Sequence, residues 1–235
     1  MIVGDMNISR ALLLACIAMA VSGCQLLPGG SDSSRDTQVR RLPPTIDRSG
    51  NVSSSLVDQQ CLTHLGATGA RFSPLPNATD GPGCTRINAV SLTDLQGDLH
   101  RLGVSNLGPV TCGTAGTFAD WARYGVDRAA RAYLGSAIAR IETMGSYVCR
   151  NVAGSSKRSA HARAEAIDIS GFVLEDGRRI TVKGDWNAGT SAEKKFLRVV
   201  RESACKRFGT VLSPDYNAAH ADHLHLEFGD SSFCR

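Results

Sequence analysis

Apolar residues recur every fourth position over Phe196, Val200, Ala204 and Phe208, the spacing of one helical face. Thr190 stands ahead of the run and Glu193 follows three residues later, a pair that satisfies the open amides of a helix start. Gly209 stops the run, so the pattern predicts a helix from Thr190 to about Phe208 that carries Cys205. Thr117 and Asp120 are candidate caps for an earlier helix reaching about Leu134, with Trp121, Val126, Ala130 and Tyr133 along it. Ala89–Leu95 reads equally as a strand or a short helix. Strand signals gather later. Residues 166–175 and 178–182 flank Asp176-Gly177, a tight-turn pair, and read as a hairpin. Residues 224–228, LHLEF, alternate and end at a glycine, which predicts another strand. Helices early and antiparallel strands late argue for an α+β domain with helices packed on a small antiparallel sheet.

Near the N-terminus the pattern changes. MNISR (6–10) supplies a positive start and ALLLACIAMAV (11–21) an apolar run of signal-peptide length. V-S-G-C (21–24) places small residues directly before a cysteine and resembles a bacterial lipobox. Residues 1–23 then read as a lipoprotein signal peptide and Cys24 as the lipidated residue, with Gln25 directing the protein to the outer membrane. Residues 24–57 are rich in Gly, Pro, Ser, Arg and Asp and read as a flexible tether able to span several tens of Å. The folded domain is expected over 58–235, facing the periplasm, and no internal repeat is visible. The matches NVS (51–53) and NAT (77–79) to a glycosylation acceptor carry no weight in a bacterial lipoprotein.

The chain has 235 residues, 42% hydrophobic and 20% charged, an ordinary balance for a globular protein. A net charge of +4 without a Lys/Arg run and interleaved aromatics argues against nucleic acid and is compatible with an anionic wall surface. Cys16 falls in the signal, which leaves Cys61, Cys84, Cys112, Cys149, Cys205 and Cys234. An even count in an exported chain reads as disulfides, and no C-x-x-C suggests zinc cysteines. Six cysteines allow about fifteen pairings. The sequence-nearest set, Cys61–Cys84, Cys112–Cys149 and Cys205–Cys234, is the expectation because it closes loops of moderate length.

Two stretches carry candidate chemistry. HADHLHLEF (220–228) holds three of the six histidines. SAHARAEAIDISGF (159–172) places His161 seven residues before Asp168, a carboxylate flanked by Ile167 and Ile169. On a pleated strand Asp168 faces away from those isoleucines and needs a cation or donors as partner. A lone histidine or a lone His-Asp spacing would be structural; the concentration is what argues otherwise. His161, Asp168 and one histidine of H-x-H make two imidazoles and one carboxylate, the protein ligands of a catalytic zinc ion (Zn2+) whose remaining position takes a water of lowered pKa. His223 and His225 are two apart and share a face, so one suits the metal and the other a proton or a developing oxyanion.

Ser159, His161, Ala164, Ala166 and Asp168, followed about 55 residues later by His223 and His225, resemble the zinc D-Ala-D-Ala metallopeptidase superfamily of lysostaphin, D-Ala-D-Ala peptidases and hedgehog. A longer resemblance, over about 58–235, is to the bacterial extensin-like C-terminal domain family, through GARFSPLP (69–76), GSYVCRN (145–151), AIDISGFVLEDGRR (166–179) and FGTVLSPDYNAAHADHLHLEF (208–228). The resemblance implies a hedgehog/D-Ala-D-Ala peptidase-like fold with His161, Asp168 and His225 as zinc ligands. It implies that His223 assists the water or the transition state, with Asp222 ranked below it as a base and Arg150 acting on substrate charge. It also implies support from Ser159, which would orient His161 or a neighbour, and from His220. Ala164 stands where many of these peptidases have glycine. The expected activity is amide hydrolysis in peptidoglycan stem peptides or cross-links. The alternative is a non-catalytic module binding the wall or an envelope protein. With eight prolines and no Ser-Pro repeat, a structural wall-fibre role has no support.

Overall fold

A computed structural model describes residues 56–235. The expected signal peptide (1–23), the lipidation site Cys24 and all but the last two residues of the expected tether (24–57) lie outside the described residues. The first helix, α1 (Leu56–Ala67), begins at those last two. Short strands follow: β1 (Arg71–Pro74), β2 (Ala78–Gly81), β3 (Cys84–Arg86), β4 (Ala89–Gln96), β5 (Arg101–Ser105) and β6 (Val110–Thr111). Next come α2 (Cys112–Trp121), a π-helical segment (Ala122–Asp127) and α3 (Arg128–Leu134). Then β7 (Ile138–Gly145), a 3-10 turn (Ala160–Arg163), β8 (Ala166–Leu174), β9 (Arg179–Thr181), α4 (Val182–Ala188) and α5 (Ser191–Cys205). The chain ends with β10 (Thr210–Leu212), a second 3-10 turn (Ala218–His220), β11 (Leu224–Glu227) and β12 (Phe233–Cys234). Among the described residues no helix is long and apolar enough to cross a membrane.

The domain is α+β, but the sheet is neither small nor purely antiparallel. Ten strands form one mixed sheet in the order β1-β4-β5-β7-β8-β11-β10-β12, with β6 on β4 and β9 on β8. The β5–β7 and β10–β12 pairs are parallel. Apart from Ala89–Gln96, the strands before α2 have few residues and no clear alternation, so the sequence pattern does not mark them, and β2 and β3 pair in a separate two-stranded sheet. Ala89–Leu95 is a strand, with Val90, Leu92 and Leu95 buried.

Local chemistry explains the elements nearest the site. The Thr190 hydroxyl accepts from the Glu193 amide, and the Glu193 carboxylate accepts from the Thr190 amide at 2.7 Å, the expected capping box. Helix α5 ends at Cys205, three residues short of Phe208. Gly209 serves a close approach rather than a helix stop, since a Cβ there would collide with the Gly229 carbonyl. Helix α2 starts at Cys112, capped by the Thr111 hydroxyl, so Thr117 and Asp120 lie inside a helix and not at its start. The run does end at Leu134, where Gly135 takes a left-handed conformation (φ 70°). Buried Asp127 fastens it: its carboxylate accepts the Ile138 amide at 3.1 Å and the Asp98 amide at 3.2 Å. Trp121, Phe118, Phe172, Phe196 and Phe208 form the aromatic centre of the core, and the Trp121 indole donates to the Val200 carbonyl at 3.0 Å.

Three disulfides staple the domain. Cys205–Cys234 matches the expected pairing. The other two do not: the bridges are Cys61–Cys112 and Cys84–Cys149. Cys61 lies on α1, which packs against α2 where Cys112 begins it, while Cys84 on β3 meets the loop after β7. Tertiary neighbours, not sequence neighbours, set the partners. The two loops close over separations of 51 and 65 residues. On a chain-entropy account each bridge contributes about 4 kcal/mol.

Candidate metal centre

Alternation on two paired strands builds the centre. In β11, Leu224 and Leu226 enter the core, which turns His223, His225 and Glu227 to the other face. In β8, Ile167 and Ile169 enter the core and Asp168 faces the opposite way. The strands pair with His225 directly beside Asp168. Beyond the site the inward positions shift phase to Phe172 and Leu174, where β8 carries an extra residue against β7.

His161 arrives from the 3-10 turn. The Ser159 hydroxyl accepts the His161 amide and caps that turn. Its far end is Ala164, in left-handed conformation (φ 58°, ψ 28°) and fully buried. The Ala164 carbonyl accepts the Thr111 amide at 2.9 Å, which anchors the turn to the start of α2. Left-handed backbone favours glycine, so an alanine here carries a conformational cost.

The three side chains converge tightly. His161 Nε2 lies 3.2 Å from His225 Nδ1, His225 Nδ1 lies 2.9 Å from Asp168 Oδ1, and His161 Nε2 lies 3.2 Å from Asp168 Oδ2. Donors bound tetrahedrally to zinc at ~2.0–2.1 Å stand about 3.3 Å apart, so this spacing fits the ion. The supports fit as well. His161 Nδ1 meets the Ser146 carbonyl at 2.5 Å, which assigns the proton to Nδ1 and leaves the Nε2 lone pair facing inward. His225 turns Nε2 to Glu227 Oε2 at 3.6 Å and Nδ1 to the centre. Burial alone would raise the Asp168 carboxyl, but hydrogen bonds from His161 and His225 outweigh it and hold the group well below the usual carboxylate range. Burial alone would lower His225; its bonds to Asp168 and Glu227 push it up to about 9 instead.

His223 stands at the rim. Its Nε2 is 3.6 Å from Asp168 Oδ1 and its Nδ1 is 2.9 Å from Asp222 Oδ1. Asp222 thus orients His223, and that hydrogen bond is the main reason its carboxyl lies below the usual range. His220 stacks near both, 5.1 Å from the His223 ring and 5.9 Å from the His225 ring, with Nδ1 held by Asn217 Oδ1 at 2.7 Å. Burial, with the neighbouring histidines, lowers His220 to about 4. Arg150 does not meet the ligand set. Its guanidinium is exposed and reaches the Asn151 carbonyl, while its own carbonyl accepts the Ser159 amide at 3.1 Å. Its charge is felt at His220.

The sequence reading omitted Glu227 and the Ser146 carbonyl. Glu227 was findable, two positions after His225 on an alternating strand. A backbone carbonyl from another loop leaves no such signal. Glu227→Ala is expected to weaken zinc affinity about 10–100-fold without unfolding the domain. Competition titration against a chromophoric chelator reads the change, and unaltered affinity would remove Glu227 from the centre.

Comparison with curated proteins and with solved structures finds no match. The family model described as extensin-like protein C-terminus matches residues 59–235, the whole of the folded domain after its first helical residues, and the chain belongs to that family.

Proposed function

We propose that the protein is a zinc-dependent peptidase of the cell envelope that hydrolyses amide bonds in peptidoglycan stem peptides or cross-links, sharing the metal centre of the zinc D-Ala-D-Ala metallopeptidase superfamily. The observation that carries the reading is the mutual spacing of His161 Nε2, His225 Nδ1 and the Asp168 carboxylate, a cluster able to hold one metal ion. Zinc held there would act as a Lewis acid and lower the pKa of a water to near neutrality. His161, Asp168 and His225 would hold the ion, with Ser146 and Glu227 fixing the ring orientations. Asp222 keeps the proton on His223 Nδ1, so His223 Nε2 points to the centre as an acceptor. From there it takes the proton of an attacking water and returns it to the leaving amine. Three disulfides accord with an exported protein, and a lipid at Cys24 would tether the domain to the outer membrane.

Incubation with purified peptidoglycan tests the reading. Peptide fragments or new amino termini are expected to accumulate, to stop with a chelator and to resume when zinc is restored. Intact peptidoglycan after exposure to the zinc-loaded protein would contradict it.

A further inference from the structure

Strands β2 and β3 stand apart from the main sheet as a two-stranded hairpin. The hairpin reaches the candidate centre, because β3 packs against the 3-10 turn that carries His161. The segment after β7 joins the two. Its Ser146 carbonyl meets His161 Nδ1 at 2.5 Å. Its Val148 amide donates to the His161 carbonyl at 3.2 Å, and its Arg150 carbonyl accepts the Ser159 amide at 3.1 Å. One segment thus holds the His161 ring, the His161 backbone and the residue that caps its turn.

At its first residue the segment is anchored inside the domain. Ser146 is buried, with its hydroxyl 2.5 Å from the Leu107 carbonyl and 2.6 Å from that of Pro109. Past Ser146 the side-chain ties run to the hairpin. The Tyr147 hydroxyl donates to the Asp80 carboxylate at 2.6 Å, and Arg158 Nε donates to the Pro82 carbonyl at 2.8 Å. Both bonds are exposed, so water competes for them and each adds little. The third tie is covalent, Cys84–Cys149. It therefore carries most of the restraint on this side of His161. It is also the most open of the three bridges. Cys84 is fully buried, but Cys149 is the one exposed cysteine among the six bridged ones.

We propose that the β2–β3 hairpin is a positioning element of the metal centre, acting on His161 through the Cys84–Cys149 bridge, and that a dithiol reductant opens this bridge before the other two and so weakens zinc binding. The inference rests on the metal centre proposed above. A thiolate of the dithiol attacks the exposed Cys149 sulfur, the S–S bond breaks, and the Cys84 sulfur leaves and takes up a proton. The second thiol of the dithiol then displaces Cys149 and closes the dithiol's own disulfide. Two electrons and two protons have passed to the bridge. Asp168 and His225 stay paired on β8 and β11, while the turn bearing His161 loses its covalent tie. The ion keeps two strand-held ligands and one loosened ligand.

The test uses the full chain with its disulfides formed. The protein is treated with limiting dithiothreitol, freed thiols are capped with iodoacetamide, and the reagents are removed. Mass mapping reads which bridge opened, circular dichroism reads folding, and competition against a chromophoric chelator reads zinc affinity. Cys84 and Cys149 are expected to be capped ahead of the other four bridged cysteines, in a folded protein that binds zinc about tenfold or more weaker. Cys84→Ala with Cys149→Ala is expected to reproduce the loss. Cys205→Ala with Cys234→Ala, which unties α5 from β12 instead, is expected to bind zinc as wild type does. Earlier opening of another bridge, unchanged zinc affinity once Cys84–Cys149 is open, or an equal loss in the Cys205 and Cys234 variant would overturn the proposal. Unfolding of the opened protein would also overturn it, by making the bridge a general staple. A wild type that binds no zinc would instead remove the metal centre, and this inference with it.

Discussion

His223→Ala is expected to lower kcat for stem-peptide hydrolysis by about 10²–10⁴ while zinc stays at one ion per chain. The expectation follows from position. His223 Nε2 is near Asp168 but outside the tight triangle formed by His161, His225 and Asp168. Its Nδ1 is fixed by Asp222, so the ring is aimed and its Nε2 is free to accept a proton. KM is expected to change little, because the role proposed for the ring is proton transfer rather than peptide binding. Steady-state kinetics on a soluble cross-linked peptide, with metal analysis of the same preparation, checks both halves. Loss of zinc in the variant would make His223 a ligand, and undiminished turnover would remove it from catalysis.

The second large effect is expected at Ala164. Its backbone is left-handed, it is fully buried, and it closes the turn that carries His161. A β-branched side chain fits that backbone poorly, and a fully buried position takes added volume only at a cost in packing. Ala164→Val is expected to cost about 3 kcal/mol or more and to weaken zinc binding by displacing His161. Ala164→Gly is expected to stay within about 1 kcal/mol of wild type, since relief of the left-handed cost offsets a lost methyl and a looser unfolded chain. Denaturant unfolding of the two variants reads the contrast. Similar stability for valine and glycine would show that the turn carries no such constraint.

What was legible in the sequence was local. The capping box of Thr190 and Glu193, the hairpin turn at Asp176-Gly177 and the alternation of β11 each follow from neighbours a few residues apart, and all are present. The same alternation placed His223 and His225 on one face and Asp168 opposite its isoleucines. What depends on distant partners was not legible. Cys61 and Cys84 look paired along the chain but are drawn to Cys112 and Cys149 by the packing of α1 on α2 and of β3 on the loop after β7. The start of α2 was misplaced because three threonines occur within seven residues, and only the strand leading into Thr111 selects the first. The sheet was underestimated because strands such as Val110–Thr111 are too short to show a period. Arg150 is legible as a charge but not as a contact, and its guanidinium turns to the Asn151 carbonyl rather than the ligand set.

The most direct test of the central claim is zinc content. Full-length protein with its disulfides formed, purified without a metal-binding tag and offered zinc, is analysed for zinc per chain alongside Asp168→Ala. The expected result is one zinc per wild-type chain and none held by the variant, with both chains folded. A folded wild type that holds no zinc, or an Asp168→Ala variant that holds as much as wild type, would contradict a metal centre built on His161, Asp168 and His225.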